Sequence, residues 1–159
     1  MDEKQQEKRV DPLTLPIPEN LPILPLHGFV FFPGMGFPLQ VASESSKQLI
    51  DDALLGDRMI GLVATRQAKE EAEQTQTGDE LYRIGVVGYI HKMTKVDDSY
   101  YQVLVSGLKK IQIAEITQKE PYIRARVDEV PMELVEDQKI DALLLNIRNQ
   151  FQALVKLTQ

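Results

Sequence analysis

The 159-residue sequence predicts a mainly β domain with helices (α+β), in which antiparallel strands form a closed or half-closed barrel. Three observations support this class. Residues 82–131 contain strand after strand separated by short turns, which is typical of an antiparallel meander. Residues 84–90 are apolar on both faces, as expected for a strand covered on both sides. One helix-forming segment precedes the meander and a second follows it.

Proline dominates the N-terminal region. Seven of the nine prolines fall within the first 38 residues, and proline fixes φ and lacks an amide donor, so a continuous helix is excluded there. Residues 1–20 are predicted to form a flexible leader. The apolar residues 21–26 are predicted to form an edge strand, where proline is tolerated. The folded domain is therefore expected to span residues 21–131.

A turn, a short strand and a helix are predicted next. Pro33 and Gly34 suit a type II turn, because proline presets φ at the second position and glycine accepts the positive φ of the third. Residues 37–41 are predicted to form a short strand. Ser43 is a good N-cap for a helix over residues 43–55, and Gly56 stands where a left-handed C-cap residue is expected.

The remaining β segments are predicted from their apolar patterns. Residues 58–65 read as a buried strand, whereas residues 67–80 are acidic and poor in apolar side chains and are expected to form a long loop. A turn at residues 97–99 and a break at Gly107 divide the meander. Its predicted strands are residues 82–96, 100–106, 108–117 and 122–130.

The apolar period changes from two to 3.6 after Pro131, where Asp137 is predicted to cap a helix. The apolar stripe of this helix comprises Ile140, Leu143, Leu144, Ile147, Phe151, Leu154 and Val155. No glycine or proline follows the stripe. We therefore expect residues 132–159 to begin a helical region that continues beyond Gln159 and self-associates when unpartnered. The alternative is a native helical tail that docks on its own domain.

Composition and motifs argue against an enzyme in this chain. Cysteine is absent, which excludes disulfides, thiolate metal sites and a cysteine nucleophile. The sequence contains no G-x-x-x-x-G-K-[ST] phosphate loop, no G-x-S-x-G elbow and no H-E-x-x-H zinc motif. His27 and His91 are the only histidines, and they lie 64 positions apart. No catalytic residue, metal ligand or cofactor site is predicted.

The N-terminus and the apolar runs bear on location. The first nine residues are polar and of mixed charge, unlike a signal peptide. The uninterrupted apolar runs are far shorter than the roughly 20 residues that span a bilayer. We therefore expect a cytoplasmic protein without a membrane partner.

Binding is the remaining class of function, and the first candidate surface is aromatic. Four of the five phenylalanines fall within nine residues around Pro33, Gly34 and Gly36. The apolar side chains of this segment are Phe29, Phe31, Phe32, Met35 and Phe37. Rigid aromatic rings and adaptable methionines are suited to anchoring an apolar partner. The alternative is that they plug the end of the barrel, and we expect a mixture with one or two exposed.

The second candidate surface is electrostatic. Residues 81–127 hold eight basic and four acidic side chains, a net charge of +4, within a chain whose net charge is −6. A basic barrel with tyrosine stacking platforms is a pattern that binds nucleic acid. The tyrosines are Tyr82, Tyr89, Tyr100, Tyr101 and Tyr122, and the basic residues proposed for this contact are Lys92, Lys95, Lys109, Lys110, Arg124 and Arg126. The alternative is ordinary strand surface with cross-strand ion pairs.

Three segments resemble the N-terminal domain of Lon protease. Residues 21–39, LPILPLHGFVFFPGMGFPL, are similar to the family's opening pattern of L-P-x-L-P-L, a V-x-F-P-G turn and P-L. Residues 81–87 (LYRIGVV) and 103–109 (VLVSGLK) are similar to the family's strand around I-G and its V-x-G-x-x-R segment. The resemblance covers about residues 21–157. His27 and Lys110 stand where the family commonly has arginine, which affects only local contacts.

The resemblance implies a PUA-like pseudo-β-barrel with one internal helix, followed by a helical region. It also implies a recognition role: such domains engage unfolded, damaged or degradation-tagged proteins and help the hexamer of Lon subunits assemble. They pass substrates to an AAA+ ATPase module, which uses ATP and Mg, and to a serine/lysine peptidase module. Neither module is in this chain, so the implied ATP-dependent serine endopeptidase activity belongs to a longer parent protein.

This role directs attention to the apolar loop. The candidate substrate-binding residues are Phe31, Phe32, Met35 and Phe37, with Tyr89 and Met93 as second choices. Unfolded chains differ from folded ones in exposing contiguous apolar segments, which an apolar patch can hold. Two alternatives stay open: a nucleic-acid-binding module, since PUA-like barrels also serve RNA, and a stand-alone Lon-domain adaptor complete at Gln159.

Overall fold

Six β-strands and two α-helices make up the part of the chain that the structure describes, residues 11–66, 78–133 and 137–157 of a computed structural model. The strands are β1 (Asn20–Leu26), β2 (Gly36–Val41), β3 (Met59–Ala64), β4 (Ile84–Lys95), β5 (Tyr101–Gln118) and β6 (Arg124–Glu129). The helices are α1 (Glu44–Leu55), between β2 and β3, and α2 (Gln138–Leu157), after β6. The predicted mainly β class, with one internal helix and a C-terminal helix, is confirmed.

The sheet closes on itself through β5. The strand order is β2-β5-β4-β3-β1-β6, and β5 pairs with β6 as well. The N-terminal part of β5 pairs with β2, from Val41 opposite Tyr101 to Gly36 opposite Ser106. Its C-terminal part pairs with β6. Five strands, β5-β4-β3-β1-β6, therefore form a ring, and β2 extends from one side of it.

The position and the pairing of β1 both differ from the prediction. β1 lies between β3 and β6, so residues 21–26 do not form the predicted edge strand. β1 and β3 are parallel, with Ile23 opposite Gly61 and Leu26 opposite Ala64. A parallel pair requires a crossover connection of a dozen or more residues, usually with a helix. The segment that contains β2 and α1 supplies this crossover. Apolar patterns identify strands but not the partner that each strand chooses, so the sequence did not reveal this pair.

The predicted break at Gly107 is wrong. Tyr101–Gln118 is one strand of 18 residues. Its register against β4 shifts between Val86, which is opposite Lys110, and Gly88, which is opposite Gly107. Such a bulge bends a strand without ending it. Gly107 therefore marks a bend within β5 where the sequence suggested an end.

The apolar side chains form two clusters, one on each face of the sheet. Ile60 and Leu62 of β3 pack with Leu49 and Ile50 of α1. The alternate residues of β3 belong to a second cluster inside the ring, whose members include Met59, Val63, Ile23, Ile111 and Ile123. In the same way Val86 and Ile90 of β4 belong to the first cluster and Val87 to the second. The prediction that residues 84–90 are covered on both faces is confirmed for these side chains and is wrong for Ile84, which is 46% exposed.

α1 begins after Ser43 and ends at Leu55 as predicted, with Gly56 as its C-cap residue, but the conformation of Gly56 differs from the prediction. Ser43 Oγ accepts a hydrogen bond from Ser46 N at 3.3 Å, which is the expected N-cap. Gly56, however, has φ −102° and is not left-handed. The left-handed residue is Arg58, with φ +62°, whose N–H donates to Ala53 O at 3.0 Å. The left-handed residue thus stands two positions later than predicted, immediately before β3 begins.

Partly buried polar contacts connect α1 to the barrel. Tyr122 Oη donates to Asp52 Oδ2 at 2.8 Å, and Tyr101 Oη donates to Asp51 Oδ2 at 3.3 Å. At the other end of α1, Lys47 Nζ donates to the backbone oxygen of Asp98 in the β4–β5 turn at 3.0 Å. Burial of the Tyr122 ring raises the pKa of its hydroxyl, and the hydrogen bond to Asp52 raises it further.

The segment before β1 is partly packed. Leu15 and Ile17 contact the second apolar cluster, and a 3-10 turn at Pro12–Thr14 precedes them. Apolar packing thus begins before residue 21, the predicted start of the domain. Residues 1–10 of the predicted leader, and residues 67–77 of the loop predicted at 67–80, lie outside the described residues.

α2 presents its apolar stripe to solvent. Asp137 Oδ1 accepts from Lys139 N at 3.0 Å at its start, and none of the 20 residues of α2 is buried. Phe151 of the stripe is 66% exposed. Self-association through this stripe stays a prediction. Of the helices that the structure describes, neither is long and apolar enough to cross a membrane.

The left-handed conformation of Arg58 predicts an unusual stabilising substitution. Positive φ costs a residue with a Cβ about 1 kcal/mol, which glycine avoids. We expect Arg58→Gly to raise the free energy of unfolding by about 0.5–1 kcal/mol in urea titrations followed by circular dichroism. Asp57→Gly is the matched control: Asp57 Oδ1 accepts from Met59 N at 3.2 Å, so this variant should lose stability. Equal destabilisation by both variants would contradict this interpretation.

The Tyr122–Asp52 hydrogen bond predicts a pH dependence at alkaline pH. Because folding raises the pKa of Tyr122 above its ordinary value of 10.0, the protonated phenol contributes stability that is complete below about pH 10. That contribution is lost as pH rises through the folded-state pKa. The difference in unfolding free energy between the native chain and Tyr122→Phe should therefore stay constant from pH 7 to 9 and shrink at higher pH. A difference that grows above pH 10 would show that the shift has the opposite sign.

Candidate functional site

The aromatic segment lies in the loop between β1 and β2, and backbone hydrogen bonds hold it on the barrel. Gly34 has φ +82°, and Met35 N donates to Phe32 O at 3.2 Å, as in the predicted type II turn. Gly34 N donates to Gly107 O at 2.9 Å, and Gly107 N donates to Met35 O at 2.7 Å. The loop is thus hydrogen-bonded to both the N–H and the C=O of Gly107, at the bend in β5.

Gly107 is required by this close approach. A Cβ at this position would collide with the backbone oxygen of Phe32 and would lie 3.2 Å from two ring carbons of Phe31. The loop can therefore rest on β5 only where β5 has no side chain. A glycine inside an apolar strand is a sequence signal for such a close approach, but the sequence does not show which segment approaches it.

The aromatic side chains are partly buried and partly exposed. Phe31 is 4% exposed and belongs to the first apolar cluster, whereas Phe32 is 60% and Phe37 43% exposed. The ring of Phe29 lies between these environments, with its centroid 6.0 Å from that of Phe31 and 5.2 Å from that of Phe37. The segment therefore contains both buried and exposed aromatic side chains, as expected, and Phe31 is a buried one.

We use the name loop patch for the apolar side chains of this segment that reach solvent: Phe29, Val30, Phe32, Met35 and Phe37. Met35 and Phe29 are half-buried against the first cluster, and Val30 is 53% exposed. Sequence reasoning missed Val30, although its place between Phe29 and the buried Phe31 was a usable signal of alternation. The loop patch surrounds a type II turn and ends on the first residues of β2.

The two second-choice residues lie elsewhere. Tyr89 and Met93 are both on β4, and β5 separates β4 from β2. Tyr89 is half-buried against the second cluster, and its ring meets His91 edge-on at 5.2 Å. Met93 is half-buried against the first cluster. Both residues therefore lie two strands away from β2 in the sheet and outside the loop between β1 and β2.

The basic residues of the barrel are partly neutralised. Lys109 Nζ lies 3.1 Å from Glu129 Oε1, and Arg126 Nη2 lies 3.9 Å from Glu115 Oε2, both across the β5–β6 pair. Tyr101 and Tyr122 are buried and bonded to α1, so their rings are not available for base stacking. These contacts favour ordinary strand surface over a nucleic-acid site.

The histidines bond to hydroxyl groups. His27 Nδ1 lies 3.0 Å from Thr65 Oγ1, and His91 Nε2 lies 2.7 Å from Ser106 Oγ. In the described ranges no group of three or more His, Cys, Asp or Glu side chains is placed to hold a metal ion. Two grooves of about 280 and 170 Å³ adjoin at Asp57 and Met59, away from the loop patch in sequence.

Comparison with known proteins places the chain in a family. The family model for the ATP-dependent protease La (LON) substrate-binding domain matches residues 20–159. Lon protease of Syntrophus aciditrophicus is 36% identical over 143 residues, which are 89% of this chain and 18% of that protein. Lon protease 2 of Myxococcus xanthus is 37% identical over 142 residues, 89% of this chain and 17% of that protein. The chain therefore spans less than a fifth of these relatives.

Solved structures share the fold. The N-terminal domain of Mycobacterium avium complex Lon protease superimposes with a TM-score of 0.63 at 20% identity, covering 86% of this chain and 68% of that one. The Lon N-terminal domain protein from Xanthomonas campestris has a TM-score of 0.63 at 18% identity, covering 85% and 74%. Since the family model extends over nearly the whole chain, this chain belongs to the Lon substrate-binding domain family.

Proposed function

We propose that this chain recognises unfolded, damaged or degradation-tagged proteins for an ATP-dependent Lon protease, and that the loop patch makes the contact. The exposure of Phe32 and Phe37, at 60% and 43%, carries the proposal. When a partner covers apolar surface that was in contact with water, the free energy of the complex falls by roughly 25 cal/mol per Å² of surface covered. Unfolded chains offer apolar segments that folded proteins keep buried.

The anchoring of the loop supports this role. Its hydrogen bonds to Gly107 order the backbone before any partner arrives, so less conformational entropy is lost on binding. Met35 lies between the exposed Phe32 and Phe37 in sequence, and its unbranched side chain can adapt to different partners. A rigid backbone with one adaptable side chain suits weak binding of varied sequences.

The rest of the machinery belongs to a longer parent protein. We propose that the parent is a cytoplasmic hexamer in which this domain also assists assembly, with AAA+ ATPase and serine/lysine peptidase modules elsewhere in its chain. ATP and Mg would bind the ATPase module, since this sequence contains no phosphate-binding loop motif. This chain by itself would supply recognition and no catalytic residue.

Removing the exposed rings should weaken client binding. We expect Phe32→Ser combined with Phe37→Ser to weaken binding of reduced, carboxymethylated α-lactalbumin at least about tenfold in fluorescence anisotropy, because two aromatic contacts are lost. Phe151→Ser on α2 is the matched control, since Phe151 is also highly exposed at 66%. Binding should survive an increase from 50 to 300 mM NaCl. Unchanged affinity in the double variant, or salt-sensitive retention on RNA through Lys92 and Lys95, would contradict the proposal.

Disturbing the support of the loop should have the same effect without removing a ring. Gly107→Ala places a Cβ against the backbone oxygen of Phe32, so we expect it to lower the free energy of unfolding by about 1–3 kcal/mol and to weaken α-lactalbumin binding. Gly36→Ala is the matched control, because a Cβ there has no atom within 4 Å and stability should change by less than about 0.5 kcal/mol. Equal effects of the two substitutions would show that the contact at Gly107 does not support the loop.

A further inference from the structure

β2 is the open edge of the sheet. Within the described residues β5 is the one strand that pairs with β2, whereas each strand of the ring has neighbours on both sides. An edge strand leaves every second residue with an N–H and a C=O that no neighbouring strand uses. The hydrogen-bonding pattern between β2 and β5 determines which residues of β2 these are, because hydrogen-bonded and non-hydrogen-bonded pairs alternate along the two strands. We call this alternation the phase of the ladder.

One hydrogen bond sets this phase. Gly107 N donates to Met35 O at 2.7 Å, and Met35 continues the register in which Gly36 is opposite Ser106. Hydrogen-bonded and non-hydrogen-bonded pairs alternate in an antiparallel ladder. Phe37, Leu39 and Val41 therefore direct their N–H and C=O groups to β5.

The alternate residues face the opposite way. Gly36, Pro38 and Gln40 direct their backbone groups to the open edge, and all three are exposed. Proline at the middle position agrees with this phase, because the missing N–H of Pro38 then costs no bond to β5. The edge thus offers the N–H and C=O of Gly36 and Gln40 and the C=O of Pro38.

We propose that this edge binds an extended segment of an unfolded protein as an added β-strand. The segment's main chain would hydrogen-bond to Gly36 and Gln40, and an apolar side chain would lie beside the exposed ring of Phe37. The inference rests on the proposed function and specifies how the client is held. Main-chain bonding requires no particular client sequence, which fits a domain that must accept many unfolded chains.

Pro38 distinguishes a client from a second copy of this chain. Two β2 edges that paired with each other would both lack an amide at their centre, so at least two ladder bonds would be missing. A client strand meets a single proline and loses one bond. Proline on an edge strand in this way disfavours edge-to-edge association while an added strand remains feasible.

Backbone methylation of the ligand gives a direct test. The probe is a fluorescein-labelled eight-residue peptide in which valine alternates with threonine, prepared also with N-methyl groups on the valines only or on the threonines only. Each pattern blocks one edge of the extended peptide. We expect one pattern to weaken binding to the 159-residue chain at least about tenfold more than the other.

The possible results separate the two proposals. Equal affinity for all three peptides would overturn the added-strand inference but leave recognition through side chains intact. Failure of both the unmethylated peptide and carboxymethylated α-lactalbumin to bind would overturn the proposed function itself.

Gln40→Pro tests the protein side of the same contact. This substitution removes an N–H from the open edge and leaves the bonds of β2 to β5 in place, so peptide affinity should fall about three- to tenfold. Gln40→Ala keeps the amide and is the matched control, with thermal unfolding of both variants measured first. Amide exchange at Gly36 and Gln40 of the native chain should slow when the unmethylated peptide is added.

Two results would overturn the inference on this side. One is equal peptide affinity of folded Gln40→Pro and Gln40→Ala. The other is a dimer in analytical ultracentrifugation that Gln40→Pro converts to a monomer, which would assign the edge to a second copy of the chain.

Discussion

The continuous pairing of β5 with three other strands is the constraint on which the rest of the structure depends. Its N-terminal part bonds to β2 and β4, and its C-terminal part bonds to β4 and β6, so one strand both closes the ring and carries the extra edge. The bend at Gly107 connects these two parts. Because that bend has no side chain, the loop between β1 and β2 can lie against it, and barrel closure and loop position share one residue.

Burial on both faces gives this framework its rigidity. β3 and β4 send alternate side chains into two clusters, so a shift of either strand by one residue would exchange the contents of both clusters. Hydrogen bonds from Tyr101 and Tyr122 to the carboxylates of α1 satisfy polar groups at the boundary of the first cluster. A loop bonded to such a sheet can keep aromatic rings in water without collapsing onto the core.

The proposed recognition site follows from these restraints. Phe31 is buried in the core and holds the centre of the loop there. The ring of Phe29 contacts the rings of both Phe31 and Phe37, and Phe32 and Phe37 remain exposed. The same loop leads directly into β2, whose outer edge pairs with no strand among the residues that the structure describes. Apolar side chains and an open strand edge thus adjoin, and together they match the two features that every unfolded polypeptide offers, apolar side chains and a free main chain.

The sequence by itself determined the elements: the strand-rich class, the N-cap at Ser43, the type II turn at Pro33 and Gly34, and the family through residues 21–39. These features depend on local φ preferences and on apolar periods, which neighbouring residues set. Tertiary structure alone decided the parallel pairing of β1 with β3, the continuity of β5 through Gly107 and which phenylalanines are exposed. Each of these depends on segments distant in sequence that meet in space, and a local pattern contains no information about which segments will meet.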